Sequence, residues 1–258
     1  MLSESINFLK NKNYEEFVED GRLIVSPEAA FLFDRIWEKT AQKGARKIVF
    51  PEQIVWVNGA PGAGKGTNTR DIMRALRIPR HPIVISDLLN DEKFKQKIDR
   101  GELIDDEEVT LLLFEKIFEE TRGKGIIVDG FPRSKIQVEF IELLQKKSEK
   151  TVPIKMASVI LLIDEKTSIQ RQLFRGQIAI ENNKKVAQEG VGQLMEVRKT
   201  DSNPDIAHAR YNTFYEETYE AIKLLKRFTD HYEIDAKGSF DEVRERIFEK
   251  LKKGLPDK

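Results

Sequence analysis

The 258-residue chain predicts an α/β fold: a doubly wound, parallel, five-stranded sheet with helices on both faces. Three observations predict it. From residue 54 onward, short apolar runs alternate with helical stretches. Strands bracketed by helices in this way require right-handed crossovers, and so a parallel sheet covered on both faces. The first run leads directly into Gly59-Ala60-Pro61-Gly62-Ala63-Gly64-Lys65-Gly66-Thr67, a glycine-rich loop with the G-x-x-x-x-G-K spacing of a P-loop. The composition, 40% hydrophobic and 34% charged with 15 Phe, is enough for a sizeable core.

Residues 1 to about 50 predict a helical N-terminal extension of two helices. Ile6, Leu9, Phe17 and Val18 lie at roughly helical spacing in the first. Ser26 as N-cap and Pro27 at the first helical position open the second, with Phe31, Leu32, Ile36 and Trp37 inward. Residues 51–258 form the core. Its predicted strands are Ile54–Val57, Ile83–Ile85, Ile126–Val128, Val159–Ile163 and a weaker Tyr232–Ile234. The last helix runs from Phe240 to about Leu251 on a Val243/Ile247/Leu251 stripe, before Gly254 and Pro256 stop it. There is no internal repeat.

With 44 Lys+Arg against 44 Asp+Glu, the chain lacks the basic excess of a nucleic-acid binder. The absence of cysteine removes disulfides, thiolate chemistry and Cys-ligated zinc. His81, His208 and His231 are too dispersed for a metal cluster. No window approaches eighteen apolar residues, and the acidic N-terminus is unlike a targeting leader. The expectation is a cytoplasmic monomer with neither membrane nor nucleic acid as partner.

A loop that wraps phosphate must turn backbone N–H groups inward, where side chains would obstruct it. The helix beginning near Lys65 adds the partial positive charge of its N-terminus, and Lys65 adds a full one. A second segment, Asp129-Gly130-Phe131-Pro132-Arg133, ends another strand. A third holds Arg171 and Arg175 at i, i+4, after a Thr167-x-x-Gln170 capping-box pattern. Like charges at that spacing repel, and an anion bound across both would relieve them. In the fourth, Asn203 as N-cap and Pro204 at the first position open a helix that bears Arg210, just after Arg198.

The Gly-x-Pro-Gly-x-Gly-Lys-Gly-Thr loop together with these segments resembles the nucleoside monophosphate kinases, adenylate kinase above all, over roughly residues 54–250. The resemblance implies transfer of the γ-phosphoryl of ATP to a nucleoside monophosphate, AMP foremost, with Mg²⁺ as cofactor. ATP would lie on the loop from Gly59 to Thr67, with Arg171 near its base. Lys65, Arg133, Arg175, Arg198 and Arg210 would surround the transferring phosphate. Thr67, and Asp129 through water, would serve the metal. Ser86, Arg133 and Gln137 would hold the acceptor, Gln137 by reading the adenine edge. The acceptor-binding insert spans about 86–110 and a mobile, largely helical lid about 176–200, with Ile178, Val186, Leu194 and Val197 at helix-like spacing.

The chain departs from the family pattern in three places. Ser86-Asp87-Leu88-Leu89-Asn90 lacks the usual Thr-Gly and carries Asn90 in place of the acceptor-phosphate arginine. Lys93, Lys95, Lys97 and Arg100 are candidate substitutes. Thr200 replaces the first acid of an Asp-Asp pair whose second is Asp201. These departures keep two alternatives open: a P-loop kinase for CMP, UMP, GMP or a small metabolite, and a catalytically degenerate nucleotide-binding module.

Overall fold

The computed structural model describes residues 18–19, 22–43, 48–91, 94, 104–121, 123–198 and 201–252. A two-residue antiparallel pair, β1 (Val18–Glu19) with β2 (Arg22–Leu23), precedes helix α1 (Pro27–Lys43). Then follow β3 (Gln53–Gly59), α2 (Lys65–Ala75), β4 (Ile83–Val84), α3 (Ile85–Leu88), α4 (Asp106–Thr121) and β5 (Ile126–Asp129). The chain continues through α5 (Lys135–Ser148), β6 (Lys155–Leu162), α6 (Glu165–Glu189) and α7 (Pro204–Thr213). A π-helical stretch, Phe214–Tyr219, leads into α8 (Glu220–Lys223) and a 3₁₀ turn. Strand β7 (Asp230–Asp235) and helix α9 (Phe240–Lys252) complete it.

The five core strands are all parallel in the order β4-β5-β3-β6-β7. The fold is thus the doubly wound α/β sheet that the alternating runs predict, with the glycine-loop strand β3 at its centre. Val57 of β3 lies opposite Asp129 of β5, and Gly59 lies opposite Leu161 of β6. This register brings the loop and the end of β5 to one edge. Ligands of open α/β sheets sit at the carboxyl ends of the strands, where the strand order reverses.

Trp56, Phe114, Phe131 and Phe140 are wholly buried around this sheet. Phe33 of α1 meets Phe114 edge-on at 6.0 Å and Phe140 at 6.5 Å, so α1 is part of the core. Its start is fixed by Ser26, whose Oγ donates to Glu139 at 2.6 Å.

Four expectations are corrected. Val18 lies in β1 rather than in a helix, while Ile6, Leu9 and Phe17 fall outside the described residues. Phe31 points outward, 64% exposed, because the buried stripe of α1 is Ala29, Phe33, Ile36 and Thr40. Helix α6 is capped by Asp164, which accepts from the Thr167 N–H at 2.8 Å, so Thr167 is inside the helix. Leu194 and Val197 are not helical: α6 ends at Gly190 in the left-handed conformation, and the chain returns as an exposed loop. Asn182 and Asn183 pin that loop by bonds to Gln193 and Met195 of 2.7–2.9 Å. Lys93, Lys95, Lys97, Arg100 and Thr200 lie outside the described residues.

Gly176 lets α6 approach the turn at Asp201, since a Cβ there would press on the Asp201 carbonyl oxygen and sit 3.0 Å from its Cβ. Gly176→Ala is expected to cost about 1–3 kcal/mol, as overpacking against backbone does. A thermal melt checks this, and an unchanged midpoint would mean the turn moves freely.

Candidate phosphoryl-transfer site

A cleft of about 620 Å³ opens at the carboxyl edge of β3 and β5. It is lined by the loop glycines Gly59, Gly62, Gly64 and Gly66, by Pro61 and Thr67, and by Ser86 and Asp129. Arg133, Arg175, Arg198 and Arg210 line it with Lys65. Five predicted cations thus meet in one cavity, although they come from four segments spread over more than 140 residues of chain. The π-helical stretch after α7 contributes Phe214 and Thr218 to the same wall. Such widened turns often occur where a helix serves a site.

The loop is shaped by its own chain. Gly62 (φ 74°) and Gly64 (φ 80°) occupy left-handed conformations. A Cβ on Gly62 would also stand 2.9 Å from the Ser168 carbonyl oxygen. Ala60 and Ala63 serve the loop's shape instead of facing the cleft: the Ala60 N–H donates to Leu161 and the Ala63 N–H to Ala60, both at 3.1 Å. Ser168 Oγ donates to the Pro61 carbonyl at 2.7 Å, tying the loop to α6.

Lys65 Nζ donates to the carbonyls of Gly59 at 2.7 Å and Ala60 at 3.4 Å. Burial foremost lowers its pKa to about 8; Arg133, Arg210 and Arg175 push the same way, against Asp129. Burial raises the Asp129 carboxyl, while Lys65, Arg133 and a hydrogen bond from Thr69 favour its charged form. The Arg210 guanidinium is lowered by burial, then by Arg175 and Arg198, with Asp201 opposing. The cleft therefore holds more positive charge than its own acids neutralise, the condition that favours a polyanion.

The two α6 arginines part company. Arg175 lines the cleft and makes a bidentate pair with Asp201, Nε–Oδ2 2.6 Å and Nη2–Oδ1 2.8 Å. Arg171 donates to the carbonyls of Ala236 and Gly238, both at 2.9 Å, and does not line the cleft. A single anion across both is not what this arrangement offers. The carbonyls after β7 give no signal in sequence, because any residue supplies one.

Gln137 is not brought to the cleft either. It is 4% exposed, its Oε1 accepts from the Arg133 N–H at 2.7 Å, and its Nε2 donates to Asp106 at 2.6 Å. Asp106 also accepts from Ser134 Oγ at 2.7 Å. Sequence reading missed Asp106; a first-turn acid on α4 resembles any helix-start acid.

A strand, a glycine-rich loop and a helix N-terminus with a half-buried lysine, facing four arginines, define a P-loop phosphotransferase. The comparisons agree. The AAA domain family model matches residues 58–189. An adenylate kinase of Chelativorans sp. (strain BNC1) is 30% identical over 205 residues, 73% of this chain and 93% of its own. One from Rickettsia bellii (strain RML369-C) is 27% identical over 77% of this chain and 99% of its own. The chain belongs to the adenylate kinase family and is a P-loop kinase. A gluconokinase structure from Sinorhizobium meliloti 1021 covers 80% of this chain and 94% of its own at 15% identity and a TM-score of 0.43, a likeness that carries no functional weight. Among the described residues no helix is long and apolar enough to cross a membrane.

The family implies a divalent metal with ATP. The donor set here fits one: Asp129, only 7% exposed, and Thr67 supply carboxylate and hydroxyl oxygens on the same cleft. Hard cations take such oxygen ligands.

Proposed function

We propose that the protein transfers the γ-phosphoryl group of ATP to a nucleoside monophosphate, with AMP as the favoured acceptor. The observation that carries the reading is the meeting of Lys65, Asp129 and Arg133 with Arg175, Arg198 and Arg210 in one cleft. In the reaction, an acceptor α-phosphate oxygen bonds to the γ-phosphorus as the bond from that phosphorus to the β,γ-bridging oxygen breaks. ADP leaves on the donor side, and a second ADP forms on the acceptor side. The acceptor is already ionised near neutral pH, so no general base is required. Catalysis rests on positioning and on cations aimed at the equatorial oxygens.

In this reading the loop from Gly59 to Thr67 wraps the donor phosphates, and Lys65 bridges toward the γ-phosphate. Arg171, fixed by the Ala236 and Gly238 carbonyls, borders the donor base. Arg133 and Ser86 hold the acceptor phosphate; Arg175, Arg198 and Arg210 close on the transferring group. Thr67, and Asp129 through water, would hold Mg²⁺, which supplies charge neutralisation among the donor phosphates when bound. The insert at about 86–110 and the lid at about 176–200 would exclude water on closure, suppressing ATP hydrolysis. The molecule would act as a soluble monomer.

A second reading, a P-loop kinase for another acceptor, is favoured by Asn90 and by the engaged amide of Gln137. One experiment separates the two: chromatography of products after incubation with Mg²⁺–ATP and AMP, CMP, UMP or GMP singly. ADP formation with AMP is expected to exceed that of every other acceptor and the no-acceptor blank. Faster turnover of another monophosphate would keep the mechanism and replace the substrate. Phosphorylation of none would remove the monophosphate reading.

A further inference from the structure

We propose that Asp106 is a positioning residue for Arg133, acting through the side chains of Gln137 and Ser134. The proposal rests on the acceptor-phosphate role given above to Arg133. Three side chains and the Arg133 backbone form one connected network. Asp106 Oδ1 accepts from Gln137 Nε2 at 2.6 Å, and Gln137 Oε1 accepts from the Arg133 backbone N–H at 2.7 Å. Asp106 Oδ2 accepts from Ser134 Oγ at 2.7 Å, and Ser134 Oγ in turn accepts from the Gln137 N–H at 3.2 Å.

The direction of these bonds gives Asp106 its role. Burial raises the Asp106 carboxyl, while the bonds from Ser134 and Gln137 favour its charged form. An ionised carboxylate only accepts, so it pairs with the NH₂ end of the glutamine amide and not with the carbonyl end. That choice leaves Oε1 facing the Arg133 N–H. In the same way it claims the serine proton and turns the Oγ lone pairs to the N-terminus of α5. A serine caps a helix without help from an acid. The carboxylate adds orientation: it fixes which way each of two ambivalent groups points, and both end on the residues that carry Arg133.

Arg133 is then held twice, at its backbone N–H and by donation from Nε to the Gly130 carbonyl at 2.9 Å. Gly130 follows Asp129 directly, so the grip ends on the residue after the proposed metal-side acid. Asp106 is the first residue of α4, so the network ties the start of that helix to the start of α5. In this arrangement the Gln137 amide links Asp106 to the Arg133 backbone. That amide is committed on both sides within a buried site.

Asp106→Asn and Asp106→Ala test this in two ways. Steady-state kinetics should show the acceptor KM rising roughly tenfold or more, the scale of a lost charge-assisted hydrogen bond. The KM for ATP should stay within about twofold. In an Arg133→Lys background the Asp106→Asn effect on acceptor KM should largely vanish, because coupled residues are not additive. A purely structural role would instead move both KM values together, or act equally in both backgrounds, and either result overturns the proposal.

Amide hydrogen exchange reads the link without any substrate. Protection at Arg133 and Gln137 should fall about tenfold relative to β3 and β6 in both variants. Unchanged protection overturns the proposal even if no acceptor is ever phosphorylated. If the unmodified protein transfers to no monophosphate while protection falls as expected, the functional reading fails and the positioning link stands. Should the alanine variant fail to fold, the asparagine variant retains shape and volume and carries the same two tests.

Discussion

Replacing Lys65 by methionine is expected to lower turnover by roughly 10³-fold and, at the same time, to stabilise the protein without nucleotide. The loss follows from electrostatics. One preorganised donor aimed at developing charge is worth about 10²–10³ in rate, and Lys65 brings a full charge. The gain follows from the same placement. Its ammonium sits half-buried, against two carbonyls and beside three arginines, and its pKa falls from 10.5 to about 8.

The sign of the stability effect is fixed by proton counting. Below pH 8 the folded and unfolded chains both carry the proton, and the folded one bears the whole cost of a crowded cation. Between pH 8 and 10.5 the unfolded chain binds more protons, so stability rises with pH and the cost fades. A methionine of similar length removes that cost, worth about 1–3 kcal/mol after allowance for partial solvent screening. The melting temperature of Lys65→Met should therefore exceed that of the parent by several degrees below pH 8, with the difference shrinking above it. A lower melting temperature at pH 7 would mean that the two carbonyl bonds outweigh the crowding. Nucleotide binding should restore the proton: near pH 8–9, calorimetry in buffers of different ionisation enthalpy should report proton uptake by the parent and none by the variant.

The catalytic end of the sheet was readable because its residues are contiguous. Gly59 to Thr67 and Asp129 to Arg133 each follow a strand, and in parallel sheets strand ends converge. The register of Val57 with Asp129 then does what sequence spacing cannot, and sets the two segments side by side. Contacts between remote backbone and side chains were not readable. The carbonyls of Ala236 and Gly238 hold Arg171 from 65 and 67 positions away. Asp106 meets Gln137 across 31 positions.

The N-terminal misreadings have a different cause. The buried stripe of α1 uses Ala29 and Thr40, residues too small or too polar to register as apolar spacing, so Phe31 was drawn inward by its side chain alone. A strand of two residues, such as β1, is shorter than any alternation can reveal. In α6 the pattern failed at the far end, where Gly190 stops the helix while apolar residues continue in an exposed loop.

Arg210 is where the arrangement is expected to matter most for the chemical step. Helix α7 presents it from a firm base: Asn203 Oδ1 accepts from the Asp205 and Ile206 N–H groups at 2.8 and 3.3 Å, and Pro204 follows at the first helical position. Arg175 and Arg198 crowd its guanidinium, while Asp201 supports it. Cations crowded before anything binds are relieved in proportion to the negative charge that arrives, and the equatorial oxygens of the moving phosphoryl carry charge in the transition state that the protein must meet. Arg210→Ala is therefore expected to lower kcat by about 10³-fold or more, the scale of arginines that act on such oxygens, with a small change in KM for ATP. Arg210→Lys should recover only a minor part, because a point charge does not reproduce a planar fork across two oxygens. Single-turnover measurements on the three proteins decide the matter. A raised KM with kcat intact would assign Arg210 to ground-state nucleotide binding, and full rescue by lysine would reduce its part to charge alone.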